Sequence, residues 1–144
     1  MTNTTTASGC SFVPLFASAE WKSKTSNFIR SRNFSCIADE PRDFGGSDLG
    51  ANPAEILLWS VAGCVSIGAE LFASRDGVEL ECLKTDVSGR MLTNPLSIAQ
   101  LSITVSIKGN ASAEKLEGLV RESFEASPIV GSLKVKPQLI VKTE

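Results

Sequence analysis

Between Ile56 and Ala69 the chain runs fourteen residues without a charge, and no other stretch restricts its folding so tightly. Immediately before it, Asn52-Pro53-Ala54-Glu55 has the order of a helix start: Asn as N-cap, Pro at the first helical position and Glu at the third. The pattern predicts a helix from Pro53 to about Ser74, ended by Asp76-Gly77, with Glu70 its only charge between Ile56 and Ala73. A helix apolar on nearly all sides has to be enclosed by other layers. Fourteen residues fall short of a bilayer crossing, so the run is read as a helix buried in protein and no membrane partner is expected.

The remaining periodicities supply those layers. Ala19–Lys24 and Phe28–Ala38 read as two extended segments around a polar bend. The second sets Phe28, Arg30, Arg32, Phe34 and Cys36 on one face against Ile29 and Ile37. Asp39 to Gly50 is a loop of Pro, Gly and Asp. Val78–Met91 reads as a strand whose alternation slips at Cys82 and Leu83. A turn at Thr93-Asn94-Pro95 follows, and Ile98–Lys108 keeps strict period two through Leu101, Ile103, Val105 and Ile107. A second helix over about Ala113–Ala126 carries Leu116, Leu119, Val120 and Phe124 on one stripe, and Ser127 falls on that stripe just as Pro128 stops the helix. Leu133–Val141 is again extended. Strands, helix, strands, helix, strand define an α+β domain over 19–144, with sheet packed around a central helix and a flexible segment over 1–18, frayed through its first eight residues.

Composition narrows the chemistry. A net charge of −2 and a pI near 5.3 give no clustered basic footprint, so nucleic acid is not an expected partner. The chain has no histidine, which removes the commonest general base, the commonest zinc ligand and every Ser-His or Cys-His pair. Cys10, Cys36, Cys64 and Cys82 form no C-x-x-C, and no metal or cofactor motif is present. Phe12–Ala17 is too short, and too broken by Pro14, for a signal peptide. The expectation is therefore a cytoplasmic protein with reduced thiols.

Four features invite a functional reading. Cys64, inside Val61-Ala62-Gly63-Cys64-Val65, is either a small hydrophobe in a core or a nucleophile; the second role needs a nearby cation, for which Arg30 and Arg32 are the candidates. Glu55 is accounted for by capping. Gly45-Gly46-Ser47-Asp48-Leu49-Gly50 lacks the Gly-Lys-Ser/Thr of a phosphate loop, and Asp39, Glu40, Asp43 and Asp48 do not have EF-hand spacing, so both read as solvated turn.

Taken together, Asp39-Glu40-Pro41, Gly45-Gly46-Ser47-Asp48-x-Gly50-x-Asn52-Pro53-x-Glu55-x-Leu57-Leu58, Ala62-Gly63-Cys64 and Ser127-Pro128 after a second helix resemble the OsmC/Ohr family, that of osmotically inducible protein C and the organic hydroperoxide resistance protein. The resemblance covers roughly residues 20 to 141. It implies an intertwined homodimer with two central helices packed against antiparallel sheets and active sites at the dimer interface. It makes Cys64 similar to the family's peroxidatic cysteine, with an N-terminal arginine, Arg30 or Arg32, stabilising the thiolate. Organic hydroperoxide is the implied substrate, and a dihydrolipoyl or small external thiol the implied reductant.

Two departures stand against this pattern. Ser127 occupies the place of the resolving cysteine, which leaves Cys36, Cys82 or an external thiol to resolve a Cys64 sulfenic acid. Ala54 follows Asn52-Pro53 where the family has a glutamate, and Glu55, one place later, lies on the helix face opposite Cys64 at about 100° per residue. Two functions follow as expectations: a one-cysteine, thiol-dependent peroxidase acting through Cys64, or a non-catalytic relative that binds a hydrophobic small molecule at the dimer interface.

Overall fold

Short polar links set the architecture of the first third of the chain. The computed structural model describes Thr4–Thr5 and Ser11–Thr143 and divides into two compact units, residues 1–53 and 54–144. In the first, β1 (Thr4–Thr5) pairs antiparallel with β2 (Ser11–Phe12). Strands β3 (Ser18–Ser23), β4 (Ser26–Ser31) and β5 (Phe34–Ala38) form an antiparallel sheet in that order. The fraying expected over the first eight residues falls, apart from Thr4–Thr5, outside the described residues, as does Cys10.

The single extended segment expected over Phe28–Ala38 is two strands. Arg32, with φ 53°, and Asn33 make a two-residue hairpin turn between Ser31 and Phe34. This changes the faces. Arg30 pairs with Ser35 and Ile29 with Cys36, and directly paired residues share a face. Arg30 therefore lies on the face opposite Cys36, whereas uninterrupted alternation had put them together. Arg32 belongs to neither face, because it sits in the turn.

The second unit opens with α1 (Pro53–Arg75), close to its expected bounds. Strands β6 (Leu80–Thr93) and β7 (Leu96–Gly109) form a long antiparallel hairpin across Asn94-Pro95, and α2 (Ala113–Ala126) with the one-turn α3 (Pro128–Gly131) crosses over to β8 (Gln138–Thr143). The sheet order is β6-β7-β8, and it is not antiparallel throughout as expected: β8 runs parallel to β7, a pairing that needs such a crossover. The strand expected over Leu133–Val141 is present only from Gln138.

A bulge explains the slipped phase of β6. The register shifts between Leu80 and Cys82, so Leu80 and Leu83 pair with Gly109 and Ile107 on the inner face while Cys82 pairs with Lys108 on the outer one. Strand β7 needs no such adjustment: Leu101, Ile103, Val105 and Ile107 are all buried. They pack with Val61, Val65, Ala69 and Ala73 of α1 and Leu116, Leu119 and Val120 of α2. Full burial of each Val, Ile or Leu contributes roughly 1.5–3 kcal/mol.

Helix α1 shows two different apolar faces. The small stripe Val61, Val65, Ala69 and Ala73 is fully buried, whereas the large side chains Trp59, Ile67 and Leu71 are about three-fifths exposed, at 58%, 64% and 63%. By length and composition α1 could cross a bilayer. Its packed stripe and the hydrogen bond from Ser66 Oγ to Thr85 Oγ1, 2.8 Å, make it a helix of this α+β unit.

Helices α1 and α2 run in opposite senses past each other. Arg75 clasps Glu122 with two hydrogen bonds of 2.6 and 2.9 Å and also bonds Asp76. Lys115 adds a second bond to Asp76. Arg75, followed by Lys115, holds the Asp76 carboxyl well below the usual carboxylate range. Further along, buried Ser123 donates to the Val65 carbonyl, 2.7 Å, in the middle of α1. The approach is close enough that a Cβ on Gly68 would stand 2.3 Å from Ser123 Oγ. Gly68→Ala is expected to destabilise the fold by about 1–3 kcal/mol through this overlap. Urea unfolding measures it, and a loss below about 0.5 kcal/mol would mean that the crossing yields freely.

Candidate active site

The crossing of α1 and α2 carries the candidate nucleophile. Cys64 lies one helical turn before Gly68, and Ser127 lies one turn beyond Ser123 at the end of α2. Because the helices run in opposite senses, these two meet: Ser127 Oγ donates to Cys64 Sγ at 3.0 Å. Cys64 is half-buried and Ser127 is only 5% exposed.

Local sequence fixes the serine. Its backbone leaves the helical region at φ −67°, ψ 115°, and Pro128 begins the next helix at a position where its missing N–H costs nothing. Ser127 is then the N-cap of α3, and its Oγ accepts from Val130 N–H at 3.2 Å. The hydroxyl's single hydrogen remains to donate to the sulfur. The inward stripe of α2 placed position 127 correctly; its meeting with Cys64 depends on how the two helices cross.

The other residues singled out from sequence lie on separate elements. Arg30 lies on β4 in the first unit, exposed, with its guanidinium 5.1 Å from the centre of the Phe28 ring. On the same face Glu20, lowered in pKa chiefly by its hydrogen bond to Lys22, also feels Arg30. Arg32 is exposed in the β4–β5 turn, 5.0 Å from the Phe34 ring centre. Glu55 is exposed in the first turn of α1, and Ala54 precedes it. Cys36 and Cys82 are free thiols exposed on β5 and β6. Among the described residues no cluster of three metal-ligating side chains occurs.

The loop after β5 is not a plain solvated turn, because one of its acids is buried and organises it. Asp39, 1% exposed, accepts from Thr25 Oγ1 at 2.6 Å and from the backbone N–H groups of Glu40, Ser47 and Leu49 at 2.9, 3.1 and 3.2 Å. The Thr25 bond above all, helped by the three amides, lowers its pKa. The Gly45-Gly46 pair lets the loop close tightly, since a Cβ on Gly46 would overlap the Glu40 carbonyl oxygen at 1.7 Å. The acid folds the loop around itself and leaves none of these bonds for a metal ion.

The α+β chain thus brings a half-buried thiol at a helix crossing into hydrogen-bond contact with the hydroxyl at the end of the second helix. The family profile described as OsmC-like protein matches residues 45–142, and the chain belongs to that family. The fold is shared with an OsmC-like protein of Mycoplasma pneumoniae (TM-score 0.79, 19% identity, covering 92% of this chain and 96% of that one). It is shared also with an OsmC-like protein of unknown function from Vibrio cholerae (TM-score 0.78, 11% identity, covering 92% and 100%). An organic hydroperoxide resistance protein of Legionella pneumophila superposes with TM-score 0.69 at 15% identity, covering 92% and 97%. Among curated proteins the sequence finds no match.

The Asp39 cluster yields a pH dependence. A depressed carboxyl contributes stability that is present above its unfolded pKa, about 4, and lost as pH falls through its lower folded value. In wild type, hydrogen-exchange protection of the Ser47 and Leu49 amides should persist at pH 5–7 and fall only in stronger acid. In Asp39→Ala it should already be lost at pH 7, and equal protection in the two proteins would remove Asp39 as the organiser.

Proposed function

We propose that the protein is a cytoplasmic, thiol-dependent peroxidase that reduces organic hydroperoxides through Cys64 and works as a homodimer. One observation carries this reading: the Cys64 sulfur stands beside a hydroxyl donor at a helix crossing, partly open, and is not sealed in an aliphatic core. Relatives of the same fold include organic hydroperoxide resistance proteins of Legionella pneumophila and Bacillus subtilis, which supports the substrate class. A histidine-free chain suits the chemistry, because arginine favours a thiolate electrostatically without acting as a base.

In the proposed cycle the Cys64 thiolate attacks the distal peroxide oxygen. A sulfur–oxygen bond forms as the O–O bond breaks; the leaving alkoxide takes a proton and departs as the alcohol. Sulfur loses two electrons and becomes a sulfenic acid. With Ser127 where the family's second cysteine belongs, an external thiol attacks that sulfur, releasing water and forming a mixed disulfide. A second thiol equivalent frees Cys64 and leaves as the external disulfide. A dihydrolipoyl group supplies both thiols in one molecule.

Arg30 or Arg32 is proposed as the cation that favours the Cys64 thiolate. Arg30, on regular β4, and Arg32, in its turn, are best separated by substitution. One of Arg30→Gln and Arg32→Gln should slow the reaction of Cys64 with cumene hydroperoxide by about tenfold or more, an electrostatic loss of roughly 1.4 kcal/mol. Two variants at the wild-type rate would rule out both arginines. Equimolar cumene hydroperoxide should add one oxygen to the Cys64 peptide by mass spectrometry. A Cys64 that stays reduced under excess oxidant would end the peroxidase reading and leave the non-catalytic one, in which a hydrophobic small molecule is bound.

The homodimer is supported by what the single chain leaves bare. Trp59, Ile67 and Leu71 project from α1, and Trp21 and Phe34 from the first sheet, each more than half exposed. Such apolar area calls for cover, and Cys64 borders the exposed face of α1. Ile67→Glu should convert a dimer to a monomer in size-exclusion chromatography with light scattering. A wild-type protein that is monomeric at micromolar concentration would refute the assembly.

A further inference from the structure

The Ser127 hydroxyl carries a contact that replacing a resolving cysteine does not explain by itself. Its oxygen accepts from Val130 N–H while its hydrogen is directed at Cys64 Sγ, 3.0 Å away. Ser127 is 5% exposed, so little water competes for that hydrogen. The hydroxyl is also held from two sides, by the N-cap geometry of α3 and by the end of α2. A fixed hydroxyl donor on sulfur stabilises the anionic thiolate more than the neutral thiol, because hydrogen bonds to charged acceptors are the stronger ones.

We propose that Ser127 is a positioning residue for Cys64: α3 orients its hydroxyl so that it donates to the sulfur, favours the thiolate and fixes the direction in which sulfur presents its free lone pairs. The inference rests on the reading of Cys64 as a nucleophile and adds a role for the residue where the family's second cysteine would stand. Serine cannot form a disulfide, so the same contact that activates the thiol leaves its sulfenic acid open to an external thiol. Ser127 also offers a donor that a cysteine sulfur would supply only weakly.

Alkylation separates this role from a structural one and needs no peroxide. The tryptic peptide of residues 43–75 holds Cys64 as its sole cysteine, so iodoacetamide labelling can be followed there by mass in the full chain. Ser127→Ala should move the pH profile of Cys64 labelling to higher pH by about one unit, a tenfold loss of rate below the midpoint. Ser127→Thr, which keeps the hydroxyl, should restore it. Ser127→Asp keeps an acceptor for Val130 N–H but brings negative charge to the sulfur; its profile should move further alkaline than that of Ser127→Ala while α3 stays capped. Ser127→Cys should form a disulfide with Cys64 on peroxide treatment, seen as a loss of two hydrogens.

If the alanine variant labels as wild type does, the inference fails, whatever its stability and whatever the aspartate variant shows. If the alanine shift appears but threonine does not restore it, the hydroxyl is not the active group and the inference fails again. Failure of the peroxidase reading looks different: the alkylation shifts remain, and no oxygen is added to the Cys64 peptide in wild type.

Discussion

The close passage of α1 over α2 governs the second unit and its thiol. Gly68 has no side chain to hold the helices apart, and Ser123 fills the space with a hydrogen bond to the Val65 carbonyl. One turn in each direction from that point, Cys64 and Ser127 come into hydrogen-bond contact. At the far end Arg75, Glu122, Asp76 and Lys115 tie the helices through exposed ion pairs, which individually contribute little. The buried crossing sets the distance between the helices, and the surface pairs agree with it.

Helix α1 also shows how one apolar element serves two surfaces. Its buried stripe is built from Val61, Val65, Ala69 and Ala73, side chains small enough for β7 and α2 to pack closely. Its other face carries Trp59, Ile67 and Leu71 at much greater exposure. Within one chain the helix is a wall of the core; the apolarity of its opposite side is accounted for by the second copy proposed above. Cys64 lies where these faces meet, which is why it is neither sealed nor fully open.

Much of this was legible in the order of residues. Strict alternation over Leu101–Ile107 marked the inner face of β7, and Pro53 and Asp76-Gly77 bounded α1. The stripe ending at Ser127 before Pro128 bounded α2 to the residue. The bulge in β6 left a visible trace, a slipped phase whose cause appears only in the pairing with β7. The β4–β5 hairpin left none. Arg32-Asn33 contains neither glycine nor proline, and the apolar alternation runs through it, so one strand and two fit the same residues. That single turn moved Arg30 to the face away from Cys36. Asp39 was misread for a related reason: an acid in a polar loop looks solvated until the loop's own amides are seen to close on it.

The chain's sequence by itself determined an α+β fold with a long apolar central helix, a thiol near that helix's middle, a serine directly before Pro128 at the end of a second helix, and membership of the OsmC-like family. The elements and their residues follow from local periodicity, capping and residue identity, each readable within a few neighbouring positions, and the family from motifs combined along most of the chain. Tertiary structure alone decided that Ser127 touches Cys64, that Arg30 and Cys36 point apart, and that Asp39 holds its loop. Each depends on where separate elements meet, and a helix crossing or a hairpin register is set by packing across dozens of residues of intervening chain.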